Sequence, residues 1–317
     1  MPLLTPPAAA ALSLPPLAVA ALAGLLSWLL LKALLPVLRR RLLDQPNARS
    51  SHRVATPRGG GVSFVVVGSL LSLALGQGMA AWIPLLCLPL AVVGMLDDRF
   101  DLPAGLRYAA QVATAALLVA LAPLPLPLWL VPVVLIAVTA VINFMNFMDG
   151  LDGLVALSAM VLMATAGQWP VAGALAGFLI WNWSPARVFM GDVGSTWLGA
   201  VFAGLVLQQP SPWGSISLLL VAFPLLGDAF FCVLRRLRAG QPVFQAHRLH
   251  LFQRLQRAGW PHWRVAALYG GCTALLALAW LGEQPWILLL LLGGALFLGV
   301  LLDLHQALPF GDEERSG

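Results

Sequence analysis

The sequence predicts an all-α polytopic membrane protein in a single domain, with about eleven transmembrane helices, or ten on a stricter count. Hydrophobic residues make up 60% of the 317, and the chain carries only 18 Lys and Arg and 13 Asp and Glu. Mean hydropathy is +0.88, far above that of a water-soluble chain. The apolar residues also fall into separate runs close to the ~20 residues that span hydrocarbon. The many Gly and Pro, 30 and 24, lie within those runs, where membrane helices tolerate them.

In chain order the runs are 14–35, 62–78, 82–96, 108–123, 126–142, 154–167, 171–183, 196–208, 213–234, 263–281 and 285–303. The first lacks a basic leader and a cleavage signature, so it is read as a retained helix. With eleven crossings, every Lys and Arg, from Lys32 to Arg315, falls on one side. By the positive-inside rule that side is cytoplasmic, which puts the N-terminus in the periplasm and the C-terminus inside. Topology therefore accounts for the net charge of +5, and no nucleic-acid partner is needed.

The acids and histidines give an independent signal, because the rule for basic residues does not govern them. Asp44, Asp97, Asp98, Asp101, Asp149, Asp152, Asp192, Asp228, Asp303 and all five histidines fall on the inner side, whereas Glu283 faces out. An enzyme working at the inner surface fits this asymmetry better than a transporter, whose ionisable groups sit near the bilayer midplane.

The cytoplasmic loops are read as 37–61, 97–107, 143–153, 184–195 and 235–262, and four of them carry chemistry. Asn143-x-x-Asn146-x-x-Asp149-Gly-x-Asp152-Gly153 sets amides and acids between two apolar runs, more than a plain turn requires. Asp97-Asp98, with Arg107 following, can share a divalent cation or orient a nucleophile. Asp192 stands in a glycine-flanked turn at a helix start, which favours phosphate. The stretch from Arg235 to Arg257, with His247, Arg248 and His250, is a candidate phosphate clamp or lipid-headgroup patch. Asp228 is expected to pair with Arg235 or Arg236. Cys87, Cys232 and Cys272 are isolated, with no disulfide framework or zinc site implied. Several carboxylates with many arginines point to a hard cation such as Mg2+ and a polyanion.

Asp97-Asp98, Asn146-x-x-Asp149-Gly-Leu-Asp152-Gly, Phe189-Met-Gly-Asp192-Val-Gly-Ser195 and the histidine-bearing last loop together resemble the polyprenyl-phosphate N-acetylhexosamine-1-phosphate transferases of glycosyltransferase family 4. The phospho-N-acetylmuramoyl-pentapeptide transferases belong to the same superfamily. The early loop through Arg53, Thr56, Pro57, Arg58 and Gly59 to Gly61 is nearer the O-antigen-initiating branch.

The resemblance implies transfer of a sugar 1-phosphate from a UDP-N-acetyl sugar to undecaprenyl phosphate, releasing UMP. It also implies a bacterial inner-membrane location, a homodimer and a Mg2+ requirement that Mn2+ can meet. By similarity Asp192 is the principal metal ligand, and Asp97 and Asp98 serve the lipid-phosphate nucleophile and the metal. Asn146, Asp149 and Asp152 contact the nucleotide or support the site, and Asn182 and Phe189 lie near the uracil. Arg53, Arg58 and Arg248 are expected at phosphates or headgroups, with His247 and His250 beside them. One departure is evident: relatives carry a denser His-x-His-His run, and here Leu251, Phe252 and Gln253 follow His250. The rival expectation is a lipid-linked-precursor carrier or cation-coupled transporter in which Asp149 and Asp152 bind the coupling ion. That reading asks for an internal repeat, and none is visible.

Overall fold

A computed structural model describes residues 14–46, 54–242 and 247–311. They form a nearly all-helical bundle, and every apolar run of the sequence contributes to a helix. In order these are α1 (Pro16–Arg41), α2 (Val62–Leu75), α3 (Ile83–Leu86), α4 (Leu88–Phe100), α5 (Ala104–Ala120), α6 (Val131–Phe147), α7 (Leu154–Thr165) and α8 (Trp169–Asn182), then α9 (Asp192–Leu207), α10 (Pro212–Val221), α11 (Phe223–Arg238), α12 (Leu251–Arg257), α13 (His262–Leu281) and α14 (Pro285–His305). A two-residue antiparallel pair, β1 (Leu43–Asp44) with β2 (Thr56–Pro57), lies between α1 and α2.

Two runs read as single spans are each two helices. Run 82–96 breaks at Cys87, between Pro84 and Pro89. Run 213–234 breaks at Ala222, just before Pro224, and α10 and α11 meet at 82°. Proline lacks the N–H that an interior turn needs and its ring clashes with the preceding turn. Helix α12, inside a stretch read as loop, was not foreseen. Its seven residues are too few for an apolar period to register.

α1, α13 and α14 are each long and apolar enough to cross a membrane, and α10 with α11 make a fourth, broken candidate. The other apolar helices are shorter, from 12 to 17 residues for α2 and α5 to α9, apart from the split α3 and α4. The chain is a multi-pass membrane protein. α8 packs against α1 through backbone: a Cβ at Gly173 or Gly177 would run into the carbonyl oxygen of Ala20 or Gly24.

Polar bonds mark the two ends of the bundle. At one, Gln168 accepts from Ser72 Oγ at 3.1 Å and Gln208 donates to Leu121 O at 3.0 Å. At the other, the C-termini of α4, α6 and α8 meet the N-termini of α5, α7 and α9, as their side-chain bonds show.

Candidate active site

The site is built where α4 ends against the start of α9. Gly94 lets the two helices touch, since a Cβ there would stand 2.5 Å from Asp192 O. One turn on, Asp98 caps α9: its carboxylate accepts from Asp192 N at 3.1 Å and Val193 N at 3.2 Å. Those are amides a helix start leaves unpaired, and the dipole there favours a negative charge. Gly191 has φ 73°, and a side chain there would strike that carboxylate.

Asp97, the neighbour, points elsewhere. It accepts from Leu102 N at 2.7 Å and Arg107 Nη1 at 2.9 Å. The same Arg107 nitrogen is 4.0 Å from Asp192 Oδ2. Arg58 donates to Asp98 O and holds its Nε 3.9 Å from Asp98 Oδ1. Arg58, Asp97, Asp98, Asp101, Arg107 and Asp192 line an open polar cavity of about 450 Å³. Burial pushes Asp98 up to about 6 against the pull of the Asp192 and Val193 amides and Arg58. Asp192 is raised well above the carboxylate range by burial and by Asp98 and Asp97. Acids crowded this way accept a cation readily, because it relieves their repulsion.

The loop after α6 supplies a second group. Asn146 accepts from Ser195 Oγ at 2.6 Å, which ties the end of α6 to the first turn of α9. Asn143 is taken by α5, exchanging hydrogen bonds with Gln111 at 2.6 and 3.2 Å. Asp149 makes no side-chain hydrogen bond among the described residues, and burial, then Asp98 and Asp152, push it up to about 7. Asp152 is turned away from the cavity, accepting from Ala186 N at 3.1 Å and pairing with His262 Nδ1 at 3.1 Å. Burial alone would raise it, but His262 and the Ala186 amide outweigh that and leave it low.

Asn182 is buried, receives Gly153 N at 3.0 Å and donates to Val188 O at 3.0 Å. Its amide thus bonds backbone on both sides and positions the 183–191 loop. That loop is laced to the early one, with Phe189 N donating to Pro57 O at 2.8 Å and Gly60 N and Gly61 N to Phe189 O and Met190 O at 2.9 Å. Phe189 is half-buried on this seam. Arg53 lies outside the described residues.

His247, Arg248 and His250 do not line the acidic cavity. His250 is 3% exposed and begins α12, stacked between the rings of His247 at 4.9 Å and Phe252 at 5.5 Å. Asp228 caps α12 from across the fold, accepting from Leu251 N at 2.8 Å, Phe252 N at 3.1 Å and Tyr269 OH at 2.7 Å. The expected pairing of Asp228 with Arg235 is therefore corrected: Arg235 donates to Asp303 Oδ1 at 3.0 Å, and Arg254 joins the same carboxylate. Two turns of α11 separate Asp228 from Arg235, and the capped amides already face Asp228. Cys232 is also less isolated than its sequence context suggests, for the fold brings it to His247 and His250.

The model of glycosyl transferase family 4 matches residues 80–209, from just before α3 to the end of α9, a stretch holding every carboxylate of the cavity. A phospho-N-acetylmuramoyl-pentapeptide-transferase of a Synechococcus species is 31% identical, over 80% of this chain and 88% of that one. The chain belongs to glycosyl transferase family 4. An undecaprenyl-phosphate alpha-N-acetylglucosaminyl 1-phosphate transferase of Yersinia pestis is 31% identical, over 79% of this chain and 80% of its own length. A probable undecaprenyl-phosphate N-acetylglucosaminyl 1-phosphate transferase of Bacillus subtilis is 27% identical, over 76% and 78%. The chain is thus a member of the polyprenyl-phosphate hexosamine-1-phosphate transferase superfamily that its motifs resemble.

For this family 4 chain the structure also places two residues of the acid-pair loop that the sequence named without a role. Arg107 touches Asp97 and approaches Asp192, and Asp101, held at φ 52°, completes the rim. A signal for Arg107 existed: it is the first basic residue of the helix that follows the acid pair.

Proposed function

We propose that this protein transfers the 1-phosphate of a UDP-linked N-acetylhexosamine to undecaprenyl phosphate, releasing UMP, and so initiates a lipid-linked surface glycan such as O-antigen. The observation that carries the reading is the cavity in which Asp97, Asp98 and Asp192 face Arg58 and Arg107 at one end of a multi-pass helical protein. Its relatives carry transferase names of this chemistry.

The donor set suits Mg2+, which prefers carboxylate oxygen. Asp192 is the best-placed ligand, because Asp98 is engaged with two amides and Asp97 with Arg107 and Leu102. When bound, the ion would neutralise the diphosphate and stabilise charge developing on the transferred phosphoryl. Arg58 and Arg107 supply cationic donors that can hold phosphate oxygens beside the acids. Asp98 keeps the start of α9 in position and so fixes Asp192. A lipid phosphate is already anionic at neutral pH, so the rate comes from positioning and charge neutralisation more than from proton abstraction.

Purified protein with undecaprenyl phosphate, Mg2+ and a panel of UDP-N-acetylhexosamines should release UMP and form a lipid-linked sugar phosphate. Absence of both products across the panel would overturn the reading.

A further inference from the structure

Outside the acidic cavity, Cys232 on α11 and His247 and His250 ahead of α12 each bring one ligand atom within 4.8 Å of the other two. These residues lie 15 and 3 positions apart in sequence, so the constellation is a product of the fold. We propose that Cys232, His247 and His250 form a binding site for a thiophilic divalent cation of the zinc class, which pins α11 to the segment entering α12.

The chemistry differs from that of the carboxylate cavity. One thiolate and two imidazoles select a borderline-soft ion, whereas the Asp97–Asp98–Asp192 group selects a hard one. With Nε2 as the ligand atom, His250 keeps its buried Nδ1 for a carboxylate. Asp228 Oδ1 lies 3.8 Å from that nitrogen, and its carboxylate is fixed by the Leu251 and Phe252 amides and Tyr269. Metal-bound histidines commonly have such a carboxylate behind them.

Binding releases the Cys232 thiol proton to solvent, and the thiolate and the Asp228 carboxylate then both face the 2+ ion. Ligation by either nitrogen of His247 gives up its hydrogen bond from Leu249 N, now 3.2 Å. In return the site holds the stack of His247, His250 and Phe252, which packs on Phe147 and Gly150 next to Asn146 and Asp149. A bound ion would thereby steady the loop behind the proposed phosphoryl site without touching the diphosphate.

The test uses the full-length protein in detergent, stripped with a chelator and titrated with Co2+ in excess Mg2+. The expected result is one tightly bound Co2+ with a thiolate-to-cobalt charge-transfer band, displaced by Zn2+, which also shields Cys232 from a thiol reagent. Cys232→Ser, close in size and monodisperse by size exclusion, should lose the band, and His247→Ala should weaken binding more than about 10-fold. Cys87→Ser and Cys272→Ser should keep it. Wild-type protein without the band, or a band that survives in Cys232→Ser, would overturn the proposal. Neither readout depends on transferase activity, so failure here leaves the proposed reaction standing.

Discussion

At the scale of single residues, neighbouring acids differ in what they do because they differ in what holds them. Asp192 presents its carboxylate to the cavity beside that of Asp97, with Arg107 Nη1 4.0 Å away. Asp192→Asn should keep the fold and lower kcat about 100-fold or more, the order expected when one preorganised charge-stabilising group is lost. Full activity in that variant, measured as UMP release, would remove Asp192 from the site. Asp149 yields a pH prediction. Its carboxyl sits at about 7 in the folded protein against an ordinary 3.8, so the folded state holds that proton more tightly than the unfolded chain. The associated stabilisation is complete below the ordinary carboxylate value and disappears as pH rises through about 7. Without divalent ions, the unfolding midpoint should therefore fall between roughly pH 4 and pH 7, and Asp149→Asn should flatten part of that fall. An unchanged slope would mean that Asp149 ionises as freely folded as unfolded. The acid pair, Asp192 and the Asn146–Asp149 spacing were legible in the sequence because charged groups are rare in this chain. The pairing of Asp152 with His262 and of Asn182 with Gly153 was not, since those partners lie 110 and 29 residues away.

At the scale of elements, the site depends on loops that can touch only where side chains are absent. A Cβ on Gly61 would stand 2.6 Å from Gly194 Cα and 2.7 Å from Met190 O, both backbone atoms that cannot step aside. Gly61→Ala should cost about 1–3 kcal/mol of stability and shift the start of α9, with activity falling alongside the thermal midpoint. Asn182→Ala should cost a similar amount, roughly 1–3 kcal/mol, by leaving Gly153 N and Val188 O buried without partners. A variant as stable as the parent would show that water replaces the amide. Hydropathy placed the helices, because lipid and core both demand apolar runs. It missed the breaks at Cys87 and Ala222, where proline decides, and it missed α12, whose seven residues are organised by Asp228.

At the scale of the whole molecule, the segregation of charge predicts an orientation with the basic side cytoplasmic. In a background lacking the native cysteines, Glu283→Cys in intact cells should react with a membrane-impermeant maleimide. Arg41→Cys should react only after permeabilisation. The reverse pattern would place the acidic cavity on the outer surface, away from a cytoplasmic nucleotide sugar. The sequence by itself determined that this is a multi-pass helical membrane protein and to which family it belongs, since apolar length and short motifs are local properties of a chain. Only the tertiary structure decided which acids face the cavity, which are bound to backbone, that Arg107 joins them and that Cys232 meets two histidines. Those are contacts between helix ends far apart in the chain, and they depend on glycine-lined packing that no local pattern encodes.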